Sequence, residues 1–235
     1  MKPFFLAVLA AAAAGAGAAA FIAAPAAGAA AQQDWTKIVA ATPEGGFRVG
    51  NPAAPVKLVE YGSFTCDHCA NFAREAMPQL IGKHVRSGRV SFEYRSFIRD
   101  PADLSAALLS GCAGPARYFE LNHSYFAGQS QWIGRYAGMT EAQKQAIDAL
   151  PQEQKLAKFA AFGGLDAIAA KAGVPPARAA QCLADSKAIT RLVEMRKVAV
   201  DTHKVQGTPT FLVNGRTVDA HSWSALQPLL ASPGG

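Results

Sequence analysis

Cys66-Asp67-His68-Cys69 sets two thiols three positions apart with an imidazole between them. A cysteine pair at this spacing can close into a disulfide and open again with little backbone movement. If the segment opens a helix, the helix N-terminus favours the thiolate of the first cysteine. The chemistry indicated is thiol–disulfide exchange. The same spacing would serve as half of a zinc site, which needs two further ligands, usually a second close pair. The remaining cysteines, Cys112 and Cys182, are 70 positions apart and have no histidine at finger-like spacing. A copper-chaperone reading of the Cys-His-Cys cluster would need more soft ligands close by, and none is visible. No metal site is assigned, and exchange chemistry requires no cofactor.

The compartment agrees with redox use. Lys2 forms a short positive start, Phe4 to about Ala24 is an apolar run built mostly of alanine, and Ala29-Ala30-Ala31 offers a small-residue cleavage site before Gln32. Residues 1–31 are therefore expected to be a cleaved export signal leading to the periplasm; an uncleaved anchor is the alternative. All four cysteines follow this segment, where disulfides persist, and an even count fits two bridges. The net charge of +6 is scattered along the chain, which gives a nucleic-acid role no support.

The elements that must position the cysteines can be read in order. Residues 32–53 form a turn-containing lead-in. Val56 to Tyr61 reads as a buried strand, and Gly62 to Thr65 as the turn after it. Thr65 is a candidate N-cap for a helix beginning at Cys66. Cys69, Phe72, Ala73 and Ala76 fall on one apolar face of that helix, so Cys69 should point inward and Cys66 should stand at the exposed first turn. A second strand, Arg89 to Phe97, completes a βαβ unit. Residues 101–205 change to helical periodicity, with apolar stripes at Tyr118, Leu121 and Tyr125; at Leu165, Ile168, Ala169 and Ala172; and at Ile189, Leu192, Val193 and Val200. These stripes are read as core packing. Asn214-Gly215 between two short apolar runs signals a hairpin, and a last helix starts near Ser222 with Trp223, Leu226 and Leu230 on one side. Cys112 and Cys182, both in helix-like segments, are expected to form a structural disulfide; two buried free thiols are the alternative.

Taken together, Val-Lys-Leu-Val-Glu-Tyr-Gly-Ser-Phe-Thr-Cys-Asp-His-Cys at 56–69, the helical insertion, and Gly-Thr-Pro-Thr-Phe at 207–211 resemble the DsbA-like branch of the thioredoxin superfamily. The resemblance covers nearly all of the chain beyond the export segment. It implies an α/β thioredoxin fold with an inserted helical domain, the fold being split into residues 54–100 and 206–235 around the insertion at 101–205. It also implies an enzyme that makes disulfides in exported proteins.

Several roles follow from the resemblance. Cys66 would be the reacting thiol that forms the mixed disulfide, and Cys69 the shielded resolving partner. His68 would stabilise the Cys66 thiolate. Glu60 occupies the place of the superfamily's buried acid, a proton relay to Cys69. Pro209 would be the cis-proline facing the cysteines, with the backbone of Thr208 free to pair with an extended substrate. Many relatives carry proline where Asp67 stands, and a carboxylate there opposes ionisation of Cys66. The partners implied are folding exported proteins and, for reoxidation, a quinone-linked membrane oxidase. The expected state is a monomer, because the twenty or so residues of the lead-in are too few for the dimerisation region usual in isomerases. A disulfide isomerase or reductase of the same fold is the alternative function.

Overall fold

The computed structural model describes Met1 and residues 33–231; the expected export signal lies outside the described residues. Residues 33–231 build on a six-stranded sheet. Its strands are β1 (Val39–Ala41), β2 (Phe47–Val49), β3 (Val56–Gly62), β4 (Val90–Ser96), β5 (Thr210–Val213) and β6 (Arg216–Val218), in the spatial order β1-β2-β4-β3-β5-β6. β3 and β4 run parallel, and every other pair is antiparallel. The parallel step needs a crossover, and α1 (Asp67–Gln79) supplies it. β3 lies between β4 and β5, so all of its residues but Lys57 are buried.

Alternation along β3 assigns its side chains to opposite faces. Val56 and Leu58 join Phe72, Phe92 and Phe211 in the larger core on the α1 side. Val59 and Tyr61 pack with Phe97, Leu212, Met195 and Ala199 in a smaller core on the other face. Glu60, two residues after Leu58, shares the α1 face and so lies beneath the cysteines. At the far edge, Asn214 and Gly215 both take positive φ, 49° and 82°, the geometry that a two-residue hairpin loop requires.

Between β4 and β5 lie eight helices, α2 (Pro101–Cys112), α3 (Pro115–Ala127), α4 (Gln129–Ala137), α5 (Glu141–Asp148), α6 (Gln152–Gly163), α7 (Leu165–Lys171), α8 (Pro176–Leu183) and α9 (Ser186–Asp201). Asp100 caps α2 through the amides of Ala102 and Asp103, and Pro101 occupies the first helical position, where its missing N–H costs nothing. Tyr118, Leu121 and Tyr125 are fully inside, as their spacing predicts. A closing helix, α10 (Trp223–Leu226), starts from Ser222 and packs Trp223 and Leu226 against the core.

The chain departs from the sequence reading in two regions. The lead-in holds β1 and β2, joined by a turn in which Gly46 N–H donates to the Thr42 hydroxyl at 3.1 Å. Strands of three residues are too short for alternation to reveal them. On α9, the expected core stripe is split. Met195 and Ala199 face inward and Leu192 is partly covered, whereas Val193 and Val200 are exposed at 53% and 38%. The helix is turned by its packing on Tyr61 and Phe97, which periodicity along one helix cannot register.

Candidate active site

The turn from β3 into α1 brings the sequence-predicted residues together. Cys66 is itself the N-cap of α1, with φ −91° and ψ 120°, and the helix begins at Asp67. Thr65, expected to cap, instead donates its hydroxyl to Asp100 Oδ2 at 2.6 Å. Cys66 is also less open than its place at a helix start implies. It is 3% exposed because the Thr208–Pro209 loop covers it, with its thiol donating to the Thr208 carbonyl at 3.2 Å. The Thr208–Pro209 peptide is cis. Cys69, one turn into the helix, is wholly buried. Both residues are free thiols.

Their environments drive the two thiols apart. The Cys66 pKa is lowered to about 5, first of all by the hydrogen bond from the Cys69 thiol. Burial opposes this, while the Thr208 side chain, the Cys69 backbone N–H and the charge of Arg99 assist it. The Thr208 carbonyl contact belongs to the protonated thiol only. Burial first, and then the bond to Cys66, push the Cys69 thiol well above its ordinary value. One cysteine is thus held as a thiolate at neutral pH and its neighbour as a thiol.

Glu60 is 2% exposed, and burial, then the charge of Cys66, raise its pKa well above the carboxylate range. Its Oε1 and the Tyr94 hydroxyl are both buried without a hydrogen-bond partner among the described residues. Gly62 separates these groups: a Cβ there would stand 2.9 Å from Glu60 Oε1, 2.9 Å from Tyr94 Oη and 2.6 Å from the Tyr94 ring. Glycine is what lets the acid and the phenol approach under the cysteines.

His68 is exposed and lines an open cleft of about 620 Å³ beneath the cis-proline loop, together with Lys204, Thr208, Pro209, Asp219 and His221. Asp67 is exposed too, its Oδ1 accepting from His68 N–H at 2.9 Å. The cation that acts on Cys66 is Arg99, at the end of the segment after β4.

Sequence reasoning missed Arg99 and three groups that grip the 63–66 turn. Asp103, completely buried, accepts from Ser63 Oγ at 2.6 Å, Phe64 N–H at 2.7 Å and Arg99 N–H at 3.0 Å. Burial above all raises its pKa to about 7. Asp100 takes Thr65, as above, and Gln129 Nε2 donates to the carbonyls of Phe64 and Cys66, both at 2.8 Å. The Asp100-Pro101 pair could have been read as a helix start, but nothing local links these residues to a turn 35 or more positions earlier. Elsewhere, Cys112 and Cys182 are joined by a disulfide with a Cα–Cα distance of 6.0 Å, between the end of α2 and α8.

A family model described as Thioredoxin matches residues 42–232. The chain belongs to the thioredoxin family. Within this family, the crystal structure of a protein-disulfide isomerase from Novosphingobium aromaticivorans is similar at 33% identity and TM-score 0.74, covering 80% of this chain and 97% of that one. The structure of Wolbachia pipientis alpha-DsbA1 shares the fold at TM-score 0.58 and 23% identity, covering 78% and 88% of the two chains. This thioredoxin-family member is thus DsbA-like in fold, with the helical block inserted between β4 and β5. A Rickettsia prowazekii protein, provisionally named a protein-disulfide oxidoreductase, is 27% identical over 187 residues, 80% of this chain. The chain spans 61% of the length of that relative.

Proposed function

We propose that this protein is a thiol–disulfide oxidoreductase that donates the Cys66–Cys69 disulfide to exported proteins in the periplasm. The observation that carries the reading is the opposed ionisation of the two thiols under the cis-proline loop. A substrate thiolate attacks Cys66 Sγ, the Cys66–Cys69 bond breaks, and Cys69 leaves as a thiolate. A second substrate thiolate then attacks its own sulfur in the mixed disulfide and releases Cys66. Two electrons pass from the substrate dithiol to the enzyme disulfide, and a low-pKa Cys66 is a good leaving group. Cys69 leaves into apolar surroundings and must be protonated, and Glu60, kept neutral by burial, supplies that proton. Thr208, at the loop over Cys66, offers backbone to an extended substrate, and His68 lines the cleft on that side. The Cys112–Cys182 bridge serves stability. A quinone-linked membrane oxidase would restore the disulfide.

The stabilised thiolate favours the reduced enzyme and therefore a disulfide that gives oxidising equivalents away. The equilibrium of Cys66–Cys69 against glutathione tests this: a potential well above that of thioredoxin is expected. A potential near thioredoxin's would favour a reductase, and activity on scrambled rather than reduced substrates would favour an isomerase. The 33% identity to the Novosphingobium protein-disulfide isomerase is the observation that keeps this second reading.

A further inference from the structure

The helical block does more than cover the sheet, because its side chains reach back to the turn that carries Cys66. We propose that Gln129, the first residue of α4, is a positioning residue that sets the ionisation of Cys66 from within the insertion. The inference rests on Cys66 being the reacting thiolate, as proposed above.

The turn has little to hold it from within. Its own hydrogen bonds from backbone donors are Cys66 N–H to the Ser63 carbonyl and Thr65 N–H to the Ser63 hydroxyl, each at 3.2 Å, with the Ser63 and Thr65 hydroxyls 3.1 Å apart. Gln129 spends its amide on this turn. The one Nε2 donates to two carbonyls, those of Phe64 and Cys66, and the residue is 8% exposed. Asp103 holds the same turn through Ser63 and Phe64.

Two physical effects reach the sulfur. First, the Cys66 carbonyl also accepts Ala70 N–H at 3.1 Å, the first hydrogen bond of α1. Fixing that carbonyl fixes Cys66 at its N-cap dihedrals, where Sγ meets the Cys69 thiol and amide. Second, the amide hydrogens of Gln129 are a positive dipole end aimed at the backbone of the residue that becomes negative. Both effects favour the thiolate, and both act from the helical block. The competing explanation is that Gln129 only staples the block to the sheet. The Tyr125 hydroxyl is a case of stapling alone, since it donates to the Leu165 carbonyl at 3.0 Å inside the block, and phenylalanine there keeps the ring that packs on Phe64.

The experiment titrates Cys66 in the reduced full-length protein by thiolate absorbance, and measures the glutathione equilibrium, for wild type, Gln129→Met and Tyr125→Phe. Methionine keeps the length of glutamine without its donors or any charge. The expected result is a Cys66 midpoint raised by about one pH unit in Gln129→Met, with the glutathione equilibrium about tenfold less oxidising. Tyr125→Phe should lose comparable stability with an unchanged midpoint. If Gln129→Met does not fold, Gln129→Ala removes the same donors and is read in the same way. A Gln129 variant that is destabilised like Tyr125→Phe yet titrates like wild type overturns the proposal alone. A wild-type midpoint near that of a free thiol overturns it together with the reading of the site.

Discussion

The two cysteine pairs of this protein differ in spacing, surroundings and state. Cys66 and Cys69 are free thiols three positions apart, under a loop from the far end of the chain. Cys112 and Cys182 are bonded across 70 positions. In the chain-entropy account of cross-links, a loop of that length stabilises by about 4 kcal/mol, and a Cys-x-x-Cys loop by less than half as much. The short pair contributes little as a staple. What surrounds it instead is an arrangement that splits two pKa values: a bond from one thiol to the other, a helix start, a cation, and a buried acid. Sequence separation assigns the division of labour, and the environment of each pair follows it.

The largest expected effect breaks the reactive pair. Cys66→Ser should abolish exchange in an insulin-reduction or refolding assay, whereas Cys69→Ser should accumulate mixed disulfides with substrate, detected by non-reducing electrophoresis. A Cys66→Ser enzyme that keeps its activity would reverse the comparison. Breaking the long pair should leave chemistry alone. The Cys112→Ser/Cys182→Ser double variant should lose about 4 kcal/mol in denaturant unfolding, with the Cys66 midpoint still at about 5.

A pH series sharpens the difference. Cys66 has a folded pKa of about 5 against 9.0 for an ordinary cysteine thiol. Its folded value is depressed, so its stabilisation is complete above the unfolded pKa and is lost as pH falls through about 5. In the oxidised protein Cys66 does not titrate. The stability of the reduced form relative to the oxidised form should therefore grow between about pH 5 and pH 9. At pH 7 this term contributes about 3 kcal/mol, at 1.36 kcal/mol per pH unit. Matched denaturation curves of the two forms measure it; a pH-independent difference would remove the thiolate as its cause.

Glu60 gives an effect on rate instead. Glu60→Gln should slow release of Cys69 by about a hundredfold, toward the low end of what positioned proton transfer supplies. Stability at neutral pH should change little, because Glu60 is already uncharged there and glutamine replaces one neutral polar group by another of the same shape. Rapid-mixing kinetics of the mixed disulfide distinguish this from loss of the fold.

How much of this was legible in the chain depends on the range of each interaction. β3, α1, the Asn214-Gly215 hairpin and the inward face of Cys69 follow from local patterns, and they appear as the patterns require. The cap of α1 did not. Thr65 is the better capping residue by type, but its hydroxyl is claimed by Asp100, 35 positions later. The burial of Cys66 was hidden for the same reason, since the loop covering it arrives 142 residues further on. Arg99, Asp103 and Gln129 carry no motif of their own. Each acquires its role only when α2 and α4 are packed against the turn.

The smallest expected effect concerns Asp67, which sits beside Cys66 at the first position of α1. Its carboxylate is exposed and accepts the His68 amide, and among the groups acting most on Cys66 are a thiol, a side chain, an amide and a guanidinium, not this acid. An exposed charge is screened by water, and interactions of this kind are worth up to about 1 kcal/mol. Asp67→Pro suits the first helical position, where proline loses no hydrogen bond. It should lower the Cys66 midpoint by less than about one pH unit and make the protein correspondingly more oxidising. Asp67→Asn removes the charge and keeps the backbone N–H, so it separates electrostatics from ring geometry. If both variants shift the midpoint equally, the carboxylate is the cause. If only proline does, the first turn of α1 is the cause, and the reactive pair is tuned by backbone as well as by charge.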